Sequence, residues 1–184
     1  GMRQTAIFSQ LAFFILLCTV QLCAAADNCT AGQTRSSNLM LTGLKPLVYT
    51  AAAGYLTVKN DKANRSARMF YISYTRAGAD KAARPITFAF NGGPGSSSVW
   101  LHMGALGPYR VALQDNGAPQ PPPARYVAND DTWLAFTDLV FIDPVGTGYS
   151  RSADEKTAGQ FFDMKADIES MADFIRLYLT TAQR

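Results

Sequence analysis

The chain has 184 residues, 48% of them hydrophobic, and a formal net charge of +3. That length and apolar share suit one ordinary domain with a sizeable core. Lys and Arg are scattered, with no dense stripe, which argues against a nucleic-acid partner; the single histidine, His102, cannot build a zinc site alone, so no metal or other cofactor is expected.

Residues 1–26 differ from the rest. Arg3 supplies a positive start, Ala6 to Leu22 is mostly apolar, and Ala24, Ala25 and Ala26 lead into polar Asp27. This order predicts a secretory signal peptide, with 27–184 as the mature part and a secreted or periplasmic protein as the outcome. Ser9, Gln10, Thr19 and Gln21 interrupt the apolar run, which makes it a poor membrane span. Cys18 and Cys23 fall inside this segment, and bulky Leu22 argues against lipid attachment at Cys23. Only Cys29 remains, either as a free thiol or with a partner later in a longer chain. Asn28 and Asn64 head glycosylation-type triplets.

Residues 27–47 are weakly patterned and read as an extended lead-in. Gly54–Val58 and Arg68–Tyr74, rich in aromatic and β-branched residues around a polar 60–65, predict an antiparallel hairpin. Ile86–Phe90 and Leu139–Asp143 are nearly continuous apolar runs, as in strands covered on both faces. Each ends in a glycine-rich turn. A helix is expected near Val99 to Leu106, and Pro119, Pro121, Pro122 and Pro123 mark an irregular loop. Phe161, Met164, Ile168, Met171, Ile175 and Tyr178 recur at helical spacing, so a helix from Gly159 to about Thr181 should pack this stripe on the sheet. The fold class is α/β, with its site at the strand C-termini. The sheet is expected to continue beyond Arg184, and this part alone to be unstable, with an apolar strand edge exposed.

The sharpest local signal is Asn91-Gly92-Gly93-Pro94-Gly95-Ser96-Ser97-Ser98. Glycines let the backbone turn steeply at a strand end and leave N–H groups uncovered, able to receive a developing oxyanion. A tight structural turn with an N-capping serine accounts for the same residues. No G-K-[ST] follows, so it is no phosphate loop, and no G-x-S-x-G occurs anywhere in the chain.

Two longer blocks favour the first reading. Phe90–Val111 (FNGGPGSSSVWLHMGALGPYRV) and Leu139–Ser150 (LVFIDPVGTGYS) together resemble the serine carboxypeptidase family. The first matches its strand ending in Asn-Gly-Gly-Pro-Gly with a later Gly-Pro pair, here Gly107-Pro108. Asn129 with Trp133, and Gly54-Tyr55-Leu56, match further family segments loosely, so the resemblance runs from about residue 50 to 184. It implies the N-terminal half of an α/β-hydrolase fold, truncated, with the antiparallel hairpin at one edge. It implies a peptide substrate and a serine-type carboxypeptidase acting through an acyl-enzyme, whose serine, acid and histidine lie later. The backbone N–H of Gly93 would be an oxyanion donor, and Asn91 with Gly92 would hold the substrate's C-terminal carboxylate. His102 stands too early in the chain to be the triad base, and Asp143 has a shaping place.

Three departures accompany the match. Ser96 stands where the family has a disulfide cysteine, Ala105 where it has a glutamic acid used in carboxylate recognition, and Asp143 runs directly into Pro144. The missing cysteine leans the reading toward a bacterial-type member. The missing acid keeps open another esterase or acyltransferase chemistry, and a non-catalytic secreted homologue is the remaining alternative.

Overall fold

The structure is a computed structural model, and it describes residues 33–39, 46–60, 64–92 and 95–184. The segment read as a signal peptide, Asn28 and all three cysteines lie outside the described residues.

Along the chain, β1 (Gln33–Leu39), β2 (Leu47–Asn60) and β3 (Arg65–Arg76) precede β4 (Ile86–Ala89). A short helix follows, α-helical over Val99–Leu101 (α1) and π-helical over His102–Leu106. Then come β5 (Tyr109–Val111), β6 (Tyr126–Ala128), a 3-10 turn at Trp133–Ala135, β7 (Asp138–Ile142) and β8 (Arg151–Ser152). The chain closes with α2 (Glu155–Ala158), a 3-10 turn at Gly159–Phe161 and α3 (Met164–Ala182). The main sheet has the order β1-β2-β3-β7-β4, with β8 also on β3, while β5 and β6 form a separate pair. β4 and β7 run parallel; every other pair in the main sheet is antiparallel.

The predicted hairpin is β2 and β3, with Gly54 opposite Tyr71 and Val58 opposite Ala67. The lead-in is extended as expected, and its ladder to β2 makes it a strand in its own right. β7 shows why its sequence does not alternate. All five of its residues are buried. Val140 and Ile142 pack with Met69, Phe161, Met171, Phe174 and Tyr178 on the α3 side. Leu139 and Phe141 pack with Leu134, Leu101 and Leu106 on the other. Helix, sheet and helix thus form three layers around two apolar clusters.

β4 differs from the expectation of a strand buried on both faces: only Ala89 is fully buried. Its sequence is as apolar as that of β7, but among the described residues no strand lies beyond it, so one edge stays open. The α3 stripe also needs correction. Asp163 caps the helix, its carboxylate accepting Ala166 N–H at 2.9 Å, so Phe161 belongs to the preceding 3-10 turn and is out of phase with the helix proper. The inward face is Ala166, Ser170, Met171, Phe174 and Tyr178. Met164 and Ile168, expected inward, are 80% and 62% exposed.

At the opposite end of the parallel strands, buried Asp138 binds Arg84 at 2.8 Å and also Arg184, just past α3, while accepting Arg76 N–H at 2.9 Å. One carboxylate therefore ties β3, the connection before β4 and the end of α3 to the start of β7.

Candidate active site

Parallel pairing brings the C-terminal ends of β4 and β7 to one edge of the sheet, where α/β folds place ligands. Two glycine-rich turns leave from there. Asp143, the first residue past β7, keeps its N–H on Phe70 O of β3 at 3.0 Å. Its carboxylate is buried and holds the two turns together. Oδ1 accepts Ser98 N–H at 2.9 Å and the Ser98 hydroxyl at 3.1 Å; Oδ2 accepts Tyr149 N–H at 3.2 Å. Ser150, fully buried, donates from Oγ to Asp143 O at 2.6 Å and accepts Phe70 N–H at 2.8 Å.

Gly148 is dictated by this contact. Its φ is +45°, and a Cβ there would overlap the Asp143 carboxylate, so an L side chain is excluded by both strain and space. Ser98 occupies the N-cap position of α1 but makes no side-chain cap bond. Its hydroxyl goes to Asp143 instead, so the capping account of the serines does not hold for Ser98.

Asn91 follows β4 closely. Its Nδ2 lies 3.5 Å from Ser96 Oγ, and its Oδ1 is buried without a hydrogen-bond partner among the described residues. Gly92 is exposed, with nothing within 4 Å of a Cβ position. Gly93, the expected oxyanion donor, lies outside the described residues, as does Pro94. Around the turns, Phe90, Val99, Trp100 and Tyr149 are exposed apolar side chains. A cavity of about 290 Å³ opens beside Gly95, bounded by Val145, Thr147, Phe162, Met164 and Asp167; burial pushes the Asp167 carboxyl above its ordinary range.

His102 is set apart from this edge. Its Nε2 meets the Tyr74 hydroxyl at 2.6 Å, and its ring lies over Phe141 with centroids 4.6 Å apart. Burial lowers its pKa from 6.5 to about 4, with the Asp143 charge pulling weakly the other way. Burial pushes the Tyr74 hydroxyl up, so a neutral phenol and a neutral imidazole share this hydrogen bond. That is a satisfied core histidine, as its early place in the chain suggested.

The helix that borders the site is fixed from behind. Gly107 N–H closes the π turn on His102 O at 3.1 Å, and a Cβ at Gly107 would overlap that same oxygen. Asn129 Nδ2 donates to Ala105 O at 2.7 Å and Gly107 O at 2.8 Å, and Thr132 Oγ1 donates to Leu106 O at 2.9 Å. These bonds satisfy the carbonyls a helix end leaves unpaired. Ala105 itself is exposed and offers no carboxylate. Among the described residues, no three His, Cys, Asp or Glu side chains gather as metal ligands.

The sequence profile of the serine carboxypeptidase family matches residues 43–184, most of the chain and both turns. The chain belongs to the serine carboxypeptidase family. Its mixed sheet and flanking helices are consistent with a partial α/β-hydrolase fold. The chain is 29% identical over 134 residues to the pheromone-processing carboxypeptidase KEX1 of Coprinopsis cinerea, covering 68% of this chain and 21% of that protein. It is 30% identical over 104 residues to serine carboxypeptidase-like 47 of Arabidopsis thaliana, covering 56% and 18% respectively. Against the KEX1 carboxypeptidase of Fusarium vanettenii it is 43% identical over 61 residues, 33% of this chain and 8% of that protein. The chain thus spans about a fifth or less of the relatives it matches. They are fungal and plant proteins, which goes against the leaning toward a bacterial-type member drawn from Ser96.

Within this family frame, the structure brings Asn91, Ser96, Ser98, Asp143 and Ser150 to one edge. Sequence reading singled out Asn91 and gave Asp143 a shaping place, but it missed Ser98, Ser150 and Thr132 as fixing points. Their signal is weak: a serine or threonine is informative only once its partner is known, and Asp143 and Ser98 are 45 positions apart.

Proposed function

We propose that this chain forms the first part of a secreted serine carboxypeptidase that removes C-terminal residues from peptides. The observation that carries the reading is the joining of the Asn91–Ser98 turn to the turn after β7 through the Asp143 carboxylate. Two glycine turns at the ends of adjacent parallel strands, with the Asn91 side chain on one of them, make a cradle for a peptide end. In this proposal the Gly93 N–H is one oxyanion donor, and Asn91 and Gly92 bind the substrate's terminal group. A serine in the longer protein, activated by histidine and oriented by an acid, attacks the last peptide carbonyl. The oxyanion forms against the Gly93 amide and one later amide, and water then hydrolyses the acyl-enzyme. Neither metal nor cofactor takes part. These 184 residues contain no nucleophile elbow, so the activity belongs to the longer protein. Secretion rests on residues 1–26 as a cleaved signal.

Ala105 favours a second reading, an ester or acyl-transfer enzyme on the same scaffold, because the acid that would select a free carboxylate is absent there. Comparing one peptide with a free and with an amidated C-terminus on the full-length protein separates the two. A carboxypeptidase releases the last residue of the free peptide at least about tenfold faster than it attacks the amide. Equal rates, or turnover of simple esters alone, would favour the second reading.

A further inference from the structure

We propose that Asp143 is the positioning residue of this site: its carboxylate sets where the loop carrying the oxyanion donor ends, and so sets transition-state stabilisation. The inference rests on the carboxypeptidase reading and deepens it. Asp143 cannot act on substrate directly. It is 6% exposed, and its two carboxylate oxygens take three hydrogen bonds from within the protein.

The geometry shows what those bonds do. The loop between β4 and α1 has two anchors. One is the pairing of β4 with β7, which reaches Ala89 opposite Phe141. The other is Ser98, whose N–H and hydroxyl both end on Asp143 Oδ1. The second oxygen takes Tyr149 N–H from the neighbouring turn, and Ser150 secures the Asp143 backbone from below. Gly148 has no Cβ, and the carboxylate fills the space a side chain there would take. Among the described residues, every hydrogen-bond partner of the carboxylate is a donor, so an acceptor at both oxygens fits. Asparagine would turn its NH2 toward one N–H, losing that bond and setting donor against donor. Alanine would leave buried N–H groups unpaired.

A displaced oxyanion donor weakens binding of the tetrahedral species more than binding of substrate. A misplacement near 1 Å costs about 100-fold in rate. The test uses the full-length protein, with kcat and KM measured for the wild type, Asp143→Asn and Ser98→Ala. Affinity is measured in parallel for a peptide boronate, which becomes tetrahedral on a serine, and for a reduced-bond peptide, which resembles bound substrate. For Asp143→Asn we expect kcat to fall about 100-fold with KM within about threefold. Boronate affinity should fall in step with kcat while reduced-peptide affinity holds. Ser98→Ala keeps the backbone N–H bond and should lose about three- to tenfold in kcat along the same line. Should Asp143→Asn fail to fold, Ser98→Ala decides the matter, and an unchanged kcat there overturns the proposal. A folded Asp143→Asn with unchanged kcat overturns it as well. So does equal weakening of boronate and reduced peptide, which would mark Asp143 as a general structural support. A wild type that neither trims peptides nor binds the boronate would instead remove the carboxypeptidase reading, and the proposal with it.

Discussion

His102 and Asp143 use their ionisable groups in opposite senses. One is a half-buried imidazole held against Tyr74 and Phe141; the other is a buried carboxylate that holds two turns together. His102 makes a measurable prediction. In the folded protein it stays neutral down to about pH 4, whereas an unfolded histidine protonates near 6.5. The unfolded chain therefore takes up the proton first, and stability falls as pH drops from 6.5 through 4. The full loss amounts to about 3 kcal/mol. In His102→Gln that loss disappears. Urea unfolding of wild type and variant at pH 7 and pH 4 should show the wild type losing its advantage on acidification, and a gap independent of pH would contradict the assignment. At this scale sequence reading placed His102 outside the catalytic triad from its early position, and it singled out Asn91 only because a known motif contains it. It could not reach Ser98 or Ser150, whose roles depend on a partner from another strand.

Elements were more legible than residues. The hairpin, both parallel strands, the short helix before Gly107 and the long final helix all follow from periodicity and turn chemistry. The phase of α3 did not, because the stripe from Phe161 to Tyr178 crosses the Asp163 cap and joins two elements that turn independently. Phe174 was left out of that stripe, yet it is fully buried, between Tyr71 and Tyr178. Phe174→Ala should cost about 3–5 kcal/mol, while Ile168→Ala should change stability by less than about 0.5 kcal/mol. Chemical denaturation of the two variants checks the phase; reversed sizes would restore the sequence stripe.

For the whole molecule, the sheet explains both what was visible and what was not. β7 is sheathed on both faces and flanked by β3 and β4, so its apolar run reads correctly as a core strand. β4 carries the same signature but stands at the open edge of the described sheet. An apolar run alone therefore does not tell a central strand from one at the edge of the described sheet. Asp138 and Asp143 bracket β7 at its two ends, the first binding Arg84 and Arg184 and the second binding the two turns. The family was legible because its two longest motifs form those turns, side by side at one edge.

We propose that this edge receives the C-terminus of a peptide. The most direct measurement is mass spectrometry of a long peptide incubated with the full-length protein, with and without a serine-directed phosphonate. The expected result is a ladder of products, each shorter by one C-terminal residue, abolished by the phosphonate. Internal fragments, or an intact peptide beside rapid ester hydrolysis, would contradict it.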